Sequence, residues 1–455
     1  MMKSKPTQTL AVFTLALVFL GTITTQAEWV SLFDGKSLDG WSKKNGWAEY
    51  RIEDGAIVGK SVDKSPNTFL ATDKNYGDFI LELEVKVDTG LNSGIQFRSQ
   101  SFPEYREGRV HGYQYELDTA ERRWTAGIYD EARRGWLYPV DLNPKAKTLY
   151  KPDSWNKVRI ECVGKSIRTW LNDQPVSHLI DDLTPSGFIA LQVHGVGNNK
   201  GIIGKEVAWR NIRINEDVTQ ATKSKGIYIR NIIPNHVSAA EKARGWKLLW
   251  NGKNLDGWRN IGSDKAPEQG WEVKEGVLTV LPTPKGETKL GGDIVSTDKF
   301  AAFEFDFEFK MTKGANSGVK YFLTEPGKAA LGLEYQVLDD NEHPDAKQGV
   351  VGNRTCASLY DLIPSYREVS TRRVPVNIGN WNHGRIIARP NGRVEHWLNG
   401  FKVVSYVRGD NIYDALIARS KYAGKEGFGM VEASGISLQD HNDRVSYRSL
   451  KIREL

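Results

Sequence analysis

The chain has 455 residues, of which 39% are hydrophobic and 26% charged, and its 62 Lys and Arg against 56 Asp and Glu give a net charge of +6. This composition allows a buried core and excludes disordered, collagen-like and disulfide-scaffold proteins. The positive charge is small and scattered, so the sequence gives no sign of a nucleic-acid or acidic-lipid partner.

The first 27 residues are predicted to be a signal peptide rather than part of the fold. Two lysines precede an apolar run from Leu10 to Leu20, and small residues follow up to Ala27. The apolar run is too short to span a bilayer as a helix. We therefore expect cleavage after Ala27, a secreted or periplasmic protein and no membrane span.

Cysteine usage points away from disulfides. Cys162 and Cys356 are the chain's 2 cysteines, and they lie in unrelated sequence contexts. Although export brings the chain into an oxidising compartment, this arrangement favours two buried thiols over a bridge.

After the signal peptide the sequence repeats itself once. The segment "WVSLFDGKSLDGW" at Trp29–Trp41 matches "WKLLWNGKNLDGW" at Trp246–Trp258. Further matches follow in the same order: "NSGI" with "NSGV", "GYQYELD" with "GLEYQVLD", "WLND" with "WLNG", and "LQVH" with "LQDH". Copies of about two hundred residues exceed the repeat length of a solenoid, so the pattern indicates a duplicated domain.

The repeat fixes the predicted domain organisation. The predicted segments are a signal peptide at 1–27, a first domain at 28–215, a linker at 216–237 and a second domain at 238–455. Ser238 and Glu241 stand at capping-box spacing, so the second domain is expected to begin with a short helix. Most of the extra length of the second copy falls around 406–434.

Within each copy the hydrophobic periodicity is two. Phe303–Met311 alternates apolar with charged residues, and Phe79–Val87 alternates in the same phase. This is the pattern of a strand with one buried face. With many short strands, 44 Gly and no long helical period, the sequence predicts an all-β protein made of two antiparallel jelly-roll sandwiches.

The same alternation isolates polar residues on the opposite face. In "YQYEL" the aromatic and apolar side chains point one way, so Gln114 and Glu116 must point the other. The second copy has the reverse order, with Glu334 and Gln336 on the polar face. The polar face is therefore predicted in both copies.

A second strand adds an amide and an imidazole to this face. Gln192 and His194 alternate with core residues in "LQVH", and Gln439 and His441 repeat the arrangement. Of the 8 histidines only His194 and His441 are repeat-equivalent, and the alternative is that each caps a strand end or bonds a neighbouring backbone carbonyl. Carboxylates, amides and imidazoles on rigid strands suit hydrogen bonding to sugar hydroxyls and proton transfer.

Other features admit two interpretations. Asn92 and Asn316 begin "NSG" and can serve as turn residues. Tyr129 opens the charged loop "YDEARRGW", which is either a solvated turn or a substrate-recognition loop. The second copy replaces this loop and adds "DDNEHPDA", so the two sites are expected to differ in specificity.

Cofactor motifs are not apparent in the sequence. It has no HExxH or CxxC zinc motif and no nucleotide-binding glycine pattern. A divalent cation could still be bound by carboxylates and amides of the polar face, but spacing alone does not assign one.

Taken together, the ordered motifs resemble one family, the 3-keto-disaccharide hydrolase domain, which is built as a concanavalin A-like jelly roll. The resemblance rests on "FDGKSLDGW", "NSGIQFR", "HGYQYELD" and "GIYDEARRGWL" in the first copy, and on "WNGKNLDGW", "LEYQVLDDNEHPDA", "SLYDLIP" and "LQDHNDRVSYRSLKI" in the second. It covers nearly all of the mature chain, twice. One departure is that Arg98 of "NSGIQFR" is replaced by Phe322 in the second copy.

The resemblance implies cleavage of glycosides that a separate sugar oxidoreductase has already oxidised to the 3-keto form. Removal of the C2 proton and β-elimination of the C1 substituent, followed by water addition, would give net hydrolysis. The candidate catalytic residues are His194, His441, Glu116 and Glu334. The candidate substrate-binding residues are Gln114, Gln192, Gln336, Gln439, Asp118, Asp339, Asn92, Asn316, Arg98 and Tyr129.

Two further functions stay open from the sequence. The jelly roll also serves non-catalytic carbohydrate-binding proteins, because fold does not fix function. An ordinary glycosidase would instead use two carboxyl groups about 5–10 Å apart across the cleft.

Overall fold

The computed structural model describes residues 28–222, 226–283, 291–366 and 373–455. The predicted signal peptide at 1–27 lies outside these residues. Within the described ranges the chain is mainly β-strand, with helices α1 Ala239–Lys242 and α2 Asn411–Ala418. No helix found there is long and apolar enough to cross a membrane.

The first half of the chain forms a sandwich of two sheets. Its strands are β1 Val30–Ser31, β2 Trp41–Asn45, β3 Glu49–Glu53, β4 Ala56–Lys60, β5 Thr68–Thr72, β6 Phe79–Val87, β7 Asn92–Gln100, β8 His111–Asp118, β9 Ile128–Glu131, β10 Gly135–Tyr138, β11 Asn156–Val163, β12 Ser166–Leu171, β13 Gln174–Ile180, β14 Phe188–Val193, β15 Glu206–Asn215 and β16 Arg230–Asn231. The larger sheet has the order β16-β13-β12-β11-β6-β15-β4-β3, with β1 beside β15. The smaller sheet has the order β10-β9-β8-β7-β14-β5-β2.

The second half repeats this architecture. Its strands are β17 Lys247–Leu248, β18 Trp258–Asn260, β19 Trp271–Lys274, β20 Val277–Val280, β21 Ile294–Ser296, β22 Phe303–Met311, β23 Asn316–Thr324, β24 Leu331–Leu338, β25 Asn382–Ala388, β26 Arg393–Leu398, β27 Phe401–Val407, β28 Ser437–Leu438 and β29 Val445–Glu454. The larger sheet has the order β19-β20-β29-β22-β25-β26-β27, with β17 beside β29, and the smaller sheet has the order β18-β21-β28-β23-β24. The predicted fold, two tandem concanavalin A-like jelly-roll sandwiches, is confirmed.

Strand alternation builds the core between the sheets. In β6, Leu81, Leu83 and Val85 are at most 3% exposed, whereas the residues between them are partly exposed. This confirms the predicted alternation. Cys162 and Cys356 are free and buried, as expected from their contexts.

One strand departs from the predicted pattern. In β22 the charged residues Glu304 and Asp306 are also buried, at 1% and 2% exposure. The reason is that Tyr228, which precedes β16, covers this face and donates a hydrogen bond from its hydroxyl to Asp306 Oδ2 at 2.5 Å. The outer face of the second larger sheet is therefore an internal boundary between the sandwiches.

Part of the segment between the two repeats pairs with the first sandwich. β16 pairs in parallel with β13, so residues of the predicted linker extend the first sandwich. The predicted capping box at Ser238 and Glu241 is present and starts α1. Glu241 then receives a hydrogen bond from Lys451 Nζ of β29 at 2.9 Å, which ties α1 to the second sandwich.

A loop crosses the outward face of the first smaller sheet. Residues 101–110 leave β7 and reach the far edge, where Asn45 of β2 accepts from Val110 N at 2.8 Å and donates to Gly108 O at 3.0 Å. Val110 packs there in a small apolar cluster with Phe69, Ala71, Phe188 and Ala190. This loop covers one part of the face. The amide-rich part of the face lies on β7, β8 and β14, beside the loop.

Candidate functional site

The outward face of the first smaller sheet carries a connected set of amides around one carboxyl group. Gln114 Oε1 accepts from Nε2 of Gln96 at 2.5 Å and from Nε2 of Gln192 at 3.0 Å. Gln114 Nε2 donates to Glu116 Oε2 at 2.9 Å, and Asn92 Nδ2 donates to Glu116 Oε1 at 2.7 Å. The buried Oε1 of Gln192 has no hydrogen-bond partner among the described atoms, so it can accept a bond from a ligand.

Strand register explains why these side chains meet. Glu116 of β8 and Gln192 of β14 both pair with Gly94, which lies between them on β7. A Cβ at Gly94 would lie 2.4 Å from Gln114 Cδ. Glycine therefore keeps the centre of the face open for the amide side chains.

Glu116 is electrostatically suited to proton transfer. Burial raises its pKa to about 7, although hydrogen bonds from Asn92 and Gln114 and the charge of Arg122 each lower it. Arg122 Nη2 donates to Glu116 Oε1 at 3.1 Å. A carboxyl group with a pKa near the working pH can act as either acid or base.

Aromatic rings form a rim beside this carboxyl group. The Arg122 guanidinium lies 4.9 Å from the ring centre of Trp124 and 5.1 Å from that of Trp136. The ring of Tyr129 lies 5.1 Å from that of Trp136, and Phe401 of the second sandwich lies 5.8 Å from Trp124. The rim thus offers apolar surfaces for a sugar ring and lies at the boundary between the sandwiches.

His194 lies at the end of β14 on the same face. Antiparallel pairing of Val193 with Ser93 brings His194 level with Asn92, the partner of Glu116. The Nδ1 atom of His194 is 2.8 Å from Gly195 O, an acceptor, so Nδ1 carries the proton and Nε2 is left as the reactive nitrogen.

A polar relay supports the turn after His194. Gly195 N donates to Asn67 Oδ1 at 2.9 Å, and Asn67 Nδ2 donates to Glu131 Oε1 at 3.3 Å. Arg109 Nη2 donates to the same Glu131 oxygen at 2.5 Å. Beside it lies a cavity of about 360 Å³ lined by Asn67, Arg109, Gly195 and their neighbours. The relay fixes the backbone that carries the imidazole.

Two predicted residues of the first copy have other partners. Asp118 accepts from the backbone N–H groups of Ala120 and Trp124 and from Arg122 Nε, so it organises the loop that presents Arg122. Arg98 is 1% exposed, and its guanidinium donates to two backbone carbonyls and to Asp78. Arg98 therefore anchors surrounding loops, and the structure does not bring it to the Glu116 cluster.

Sequence reasoning missed several members of this site. Gln96 is on the same face as Gly94 and could have been found from the period of two in "NSGIQFR". The loop residues Arg122, Asn67 and Arg109 carry no periodic signal, because only the folded loops bring them to the strands.

The second smaller sheet carries a related but altered cluster. Here Gln336 pairs with Gly318, and Glu334 pairs with Lys320. The carboxyl group therefore occupies the position of Gln114 rather than that of Glu116. Burial raises the pKa of Glu334, opposed by the charge of Lys320, and Lys320 Nζ also donates to Asp293 Oδ2 at 3.0 Å.

The extra segment of the second copy contributes side chains to this cluster. After α2, Lys421 N donates to Asp361 Oδ2 at 2.8 Å, and Lys421 Nζ lies 4.1 Å from the ring centre of Tyr360. The charge of Lys421 acts on the pKa of Glu334. The second site therefore has a lysine, Lys320, at the position of Gln96, and a second lysine, Lys421, from the extra segment.

The remaining predicted residues of the second copy differ in their surroundings, and Gln439 lies beside Gly318, to whose carbonyl oxygen its backbone N–H donates at 2.9 Å. Gln439 is half-buried just beyond β28, and His441 is exposed. Asn316 is buried, and its backbone N–H donates to Asp443 Oδ2 at 3.0 Å. Asp339 accepts from the backbone N–H groups of Gly314 and Asn341 and so caps a turn.

His441 belongs to a group that could hold a metal ion. One ligand atom from each of His343, His441 and Asp443 lies within 4.8 Å of the others. Two imidazoles and a carboxylate form a donor set suited to a transition metal such as Zn²⁺. His343 comes from the "DDNEHPDA" segment, which the first copy lacks.

Two large cavities lie away from these polar faces. A groove of about 880 Å³ follows the outer face of the first larger sheet, and a cavity of about 610 Å³ lies between the sandwiches. Volume alone does not assign a chemical site, and a buried carboxyl group with a raised pKa, Glu116, makes the first polar face a candidate.

The raised pKa of Glu116 predicts a pH-dependent stability. From its ordinary value of 4.5 up to about 7, the folded chain holds a proton that the unfolded chain has lost. Stability therefore falls as the pH rises through this window, by about 3 kcal/mol, and levels off above it. Glu116→Gln should remove this slope in denaturant unfolding at pH 5 and pH 8; an unchanged slope would contradict the assignment.

Comparisons with known proteins give a consistent picture. A sequence profile of the 3-keto-alpha-glucoside-1,2-lyase-like domain matches residues 28–215 and 245–453. The chain is 33% identical over 240 residues to a 3-keto-disaccharide hydrolase of Bacteroides thetaiotaomicron, covering 47% of this chain and 79% of that protein.

Solved structures align with part of the chain. A candidate glycosyl hydrolase from Parabacteroides distasonis is 27% identical, with a TM-score of 0.43, and covers 49% of this chain and 100% of that one. A carbohydrate-binding module from Bacillus subtilis is 18% identical, with a TM-score of 0.30, and covers 39% of this chain and 95% of that one.

Proposed function

The chain belongs to the family of 3-keto-alpha-glucoside-1,2-lyase-like domains, and from this premise we propose that it cleaves glycosides whose sugar ring carries a ketone at C3. The observation that carries the proposal is Glu116, a buried carboxyl group with a pKa of about 7 among hydrogen-bonding amides. Such a group suits abstraction of a proton from carbon, which an ordinary exposed carboxylate performs poorly.

The proposed reaction starts at C2 of the sugar. The C3 ketone makes the C2 proton acidic, and a base removes it to leave an enolate whose negative charge lies on the C3 oxygen. The enolate then expels the C1 oxygen substituent, which takes up a proton. Addition of water across the resulting C1–C2 double bond gives net hydrolysis.

We assign the base role to Glu116 and the acid role to the imidazolium form of His194, which carries a proton on Nε2 as well as the one that Nδ1 donates to Gly195 O. Arg122, at 3.1 Å from Glu116 Oε1, provides a cation for the enolate, and the amide of Gln192 holds a hydroxyl group. Stabilising charge as it develops on oxygen is the largest contribution of such sites. The aromatic rim at Trp136 would pack against the sugar or its C1 substituent.

The substrate class can be tested with matched disaccharides. Purified protein is incubated with a disaccharide and its 3-keto form, and with the 3-keto form in D₂O. We expect cleavage of the oxidised sugar alone, with deuterium entering at C2. Cleavage of the plain disaccharide would favour an ordinary glycosidase, and binding without cleavage would favour a lectin-like protein.

The acid role of His194 predicts a dependence on the leaving group. His194→Ala should lower cleavage of a 3-keto disaccharide by about 10²-fold, because the departing alkoxide lacks a proton donor. A 3-keto nitrophenyl glycoside needs no such proton and should be affected little. His441→Ala, in the other copy, is the matched control; equal losses on both substrates would refute the role.

We also propose that the two sites divide the substrates between them. Lys320 and Lys421 near Glu334 favour a more polar or acidic sugar than the amides around Glu116 do. The reaction requires an oxidoreductase upstream, since a C3 ketone must first be made from the hydroxyl group. Comparing Glu116→Gln and Glu334→Gln on neutral and acidic 3-keto glycosides tests this division.

A further inference from the structure

The turn between β26 and β27 of the second sandwich reaches the aromatic rim of the first site. The ring of Phe401, the first residue of β27, lies 5.8 Å from that of Trp124, and Phe401 packs against the cores of both sandwiches. A Cβ at Gly400 would lie 2.7 Å from Cγ of Pro139, so a larger residue could not approach this closely. Pro139 directly follows β10, the strand that carries Trp136. The turn therefore contacts both segments that build the rim.

The first copy contains the same turn without this contact. Its sequence "WLNDQ" matches "WLNGF" of the second copy, so Asp173 and Gln174 correspond to Gly400 and Phe401. The backbone is left-handed at Asp173, with φ 65°, as it is at Gly400, with φ 87°. The Asp173 side chain is 74% exposed, and Gln174 is exposed as well. The turn itself therefore requires neither glycine nor a large apolar residue, and both occur in the copy that touches the first site.

The second sandwich holds this turn in place by itself. The side-chain oxygen of Asn399 accepts from His383 N at 2.9 Å, and its Nδ2 donates to Asn382 Oδ1 at 3.0 Å. These bonds tie the turn to β25. The position of Phe401 is therefore fixed from the second sandwich, and Trp124 packs against a rigid support.

The rim in turn limits where the Arg122 guanidinium can lie. The rings of Trp124 and Trp136 are 4.4 Å apart at 77°, and the guanidinium lies about equally far from both. Arg122 Nε also donates to Asp118 Oδ2 at 2.6 Å. The Arg122 side chain is 44% exposed, and an ion pair of so exposed a side chain is weak. The two rings are therefore needed to hold the guanidinium in one position.

The position of Arg122 affects the electrostatics of Glu116. Burial is the main cause of the raised pKa of Glu116; the charge of Arg122 lowers this pKa, and that of Asp118 raises it. The attraction between the Arg122 guanidinium and the carboxylate weakens with distance. If Arg122 moved away from its 3.1 Å contact, the pKa of Glu116 would therefore rise further.

We propose that the β26–β27 turn of the second sandwich is a positioning element of the first site. Gly400 and Phe401 support the aromatic rim, and the rim holds Arg122 against Glu116. Phe401 is a positioning residue, because it acts on Glu116 only through Trp124 and Arg122. Its effect on catalysis rests on the proposed function, whereas its effect on the Glu116 carboxyl group does not.

The first experiment measures the stability of the full mature chain against pH and needs no substrate. In the parent, stability falls from pH 4.5 and levels off near the folded-state pKa of Glu116, about 7. Phe401→Gln places the residue of the first copy in the turn. We expect the levelling point to move up by about 0.5 pH unit or more, because the folded chain keeps the Glu116 proton to a higher pH. Phe401→Tyr keeps the ring and should keep the parent value.

Three further variants make this measurement specific. Gln174→Ala, in the matching turn of the first copy, should leave the levelling point unchanged. Phe401→Leu keeps an apolar residue without the ring and should shift the point in the same direction as Phe401→Gln. Combining Phe401→Gln with Glu116→Gln should remove the shift. An unchanged point in Phe401→Gln and Phe401→Leu, an equal shift in Phe401→Tyr, or a shift that persists without Glu116 would overturn the proposal.

The second experiment measures cleavage in the Glu334→Gln background, which isolates the first site. Phe401→Gln should lower kcat/KM on a neutral 3-keto disaccharide by about 10–100-fold, since small displacements of a positioned group are costly. Phe401→Tyr should restore the rate. An unchanged rate in Phe401→Gln would overturn the positioning role in catalysis. A parent chain without activity would contradict the proposed function alone, because unfolding against pH still tests the placement of Arg122.

Discussion

Replacing both Glu116 and Glu334 by glutamine should lower kcat/KM on 3-keto glycosides by about 10²–10⁴-fold, because the amide keeps the size of the side chain but cannot take up a proton. Each single variant should lose activity only on the substrates that its own sandwich cleaves. The wild-type pH profile should show a limb near pH 7 from Glu116, whose pKa burial raises to about 7. Initial rates across pH 5–9 measure both effects.

Folding controls accompany these variants. Glutamine can keep only one of the hydrogen bonds from Asn92 and Gln114, because these donate to different oxygens of Glu116, so the unfolding temperature is measured for each variant. Full activity in the double variant would exclude these carboxyl groups as proton acceptors.

Lys451→Met should lower the free energy of unfolding by about 3–5 kcal/mol, because it leaves Glu241 buried without its cation. The Lys451 and Glu241 side chains are 4% and 2% exposed, and the N–O distance is 2.9 Å. Glu241 also accepts from Asn231 Nδ2 in β16 at 2.5 Å. The pair therefore links the strand added to the first sandwich, the short helix and the second sandwich.

Two comparisons test whether the loss of stability comes from an unpaired buried charge. One is a double-mutant cycle, and the other is an exposed ion pair. Lys451→Met with Glu241→Gln removes both charges and should be less destabilised than Lys451→Met alone. Lys247 and Asp298 form a pair with side chains 51% and 60% exposed, so Lys247→Met should change stability by less than about 1 kcal/mol. Calorimetric unfolding measures all of them; equal effects of Lys451→Met and Lys247→Met would contradict the argument.

The hydrophobic period of two was enough to predict much of the fold of this protein. The alternation in Phe79–Val87 and in "YQYEL" follows directly from strand geometry, so the sandwiches and the faces of Gln114 and Glu116 could be predicted. The repeat also indicated that Glu334 and Gln336 lie on the corresponding face. These features depend only on local backbone geometry, which the sequence pattern encodes.

Other features depend on contacts that no local pattern encodes. Arg122 reaches Glu116 through the loop that Asp118 organises, and the turn after His194 is fixed by Asn67. The Arg98 side chain donates to backbone carbonyls that are distant in sequence rather than lying at the Glu116 cluster, although Arg98 follows the "NSG" motif. His441 keeps its repeat position but becomes exposed beside His343, because an inserted segment brings that residue to it.

The parallel strand β16 covers part of one edge of the first sandwich. Among the described strands, β16 is the outer neighbour of β13 and pairs with it at Leu179 and Ile180. A first sandwich cut off at residue 216 would present these backbone groups as an open edge, a template on which another chain can add a strand. Such a fragment is expected to self-associate, whereas one that extends through residue 232 keeps its edge covered.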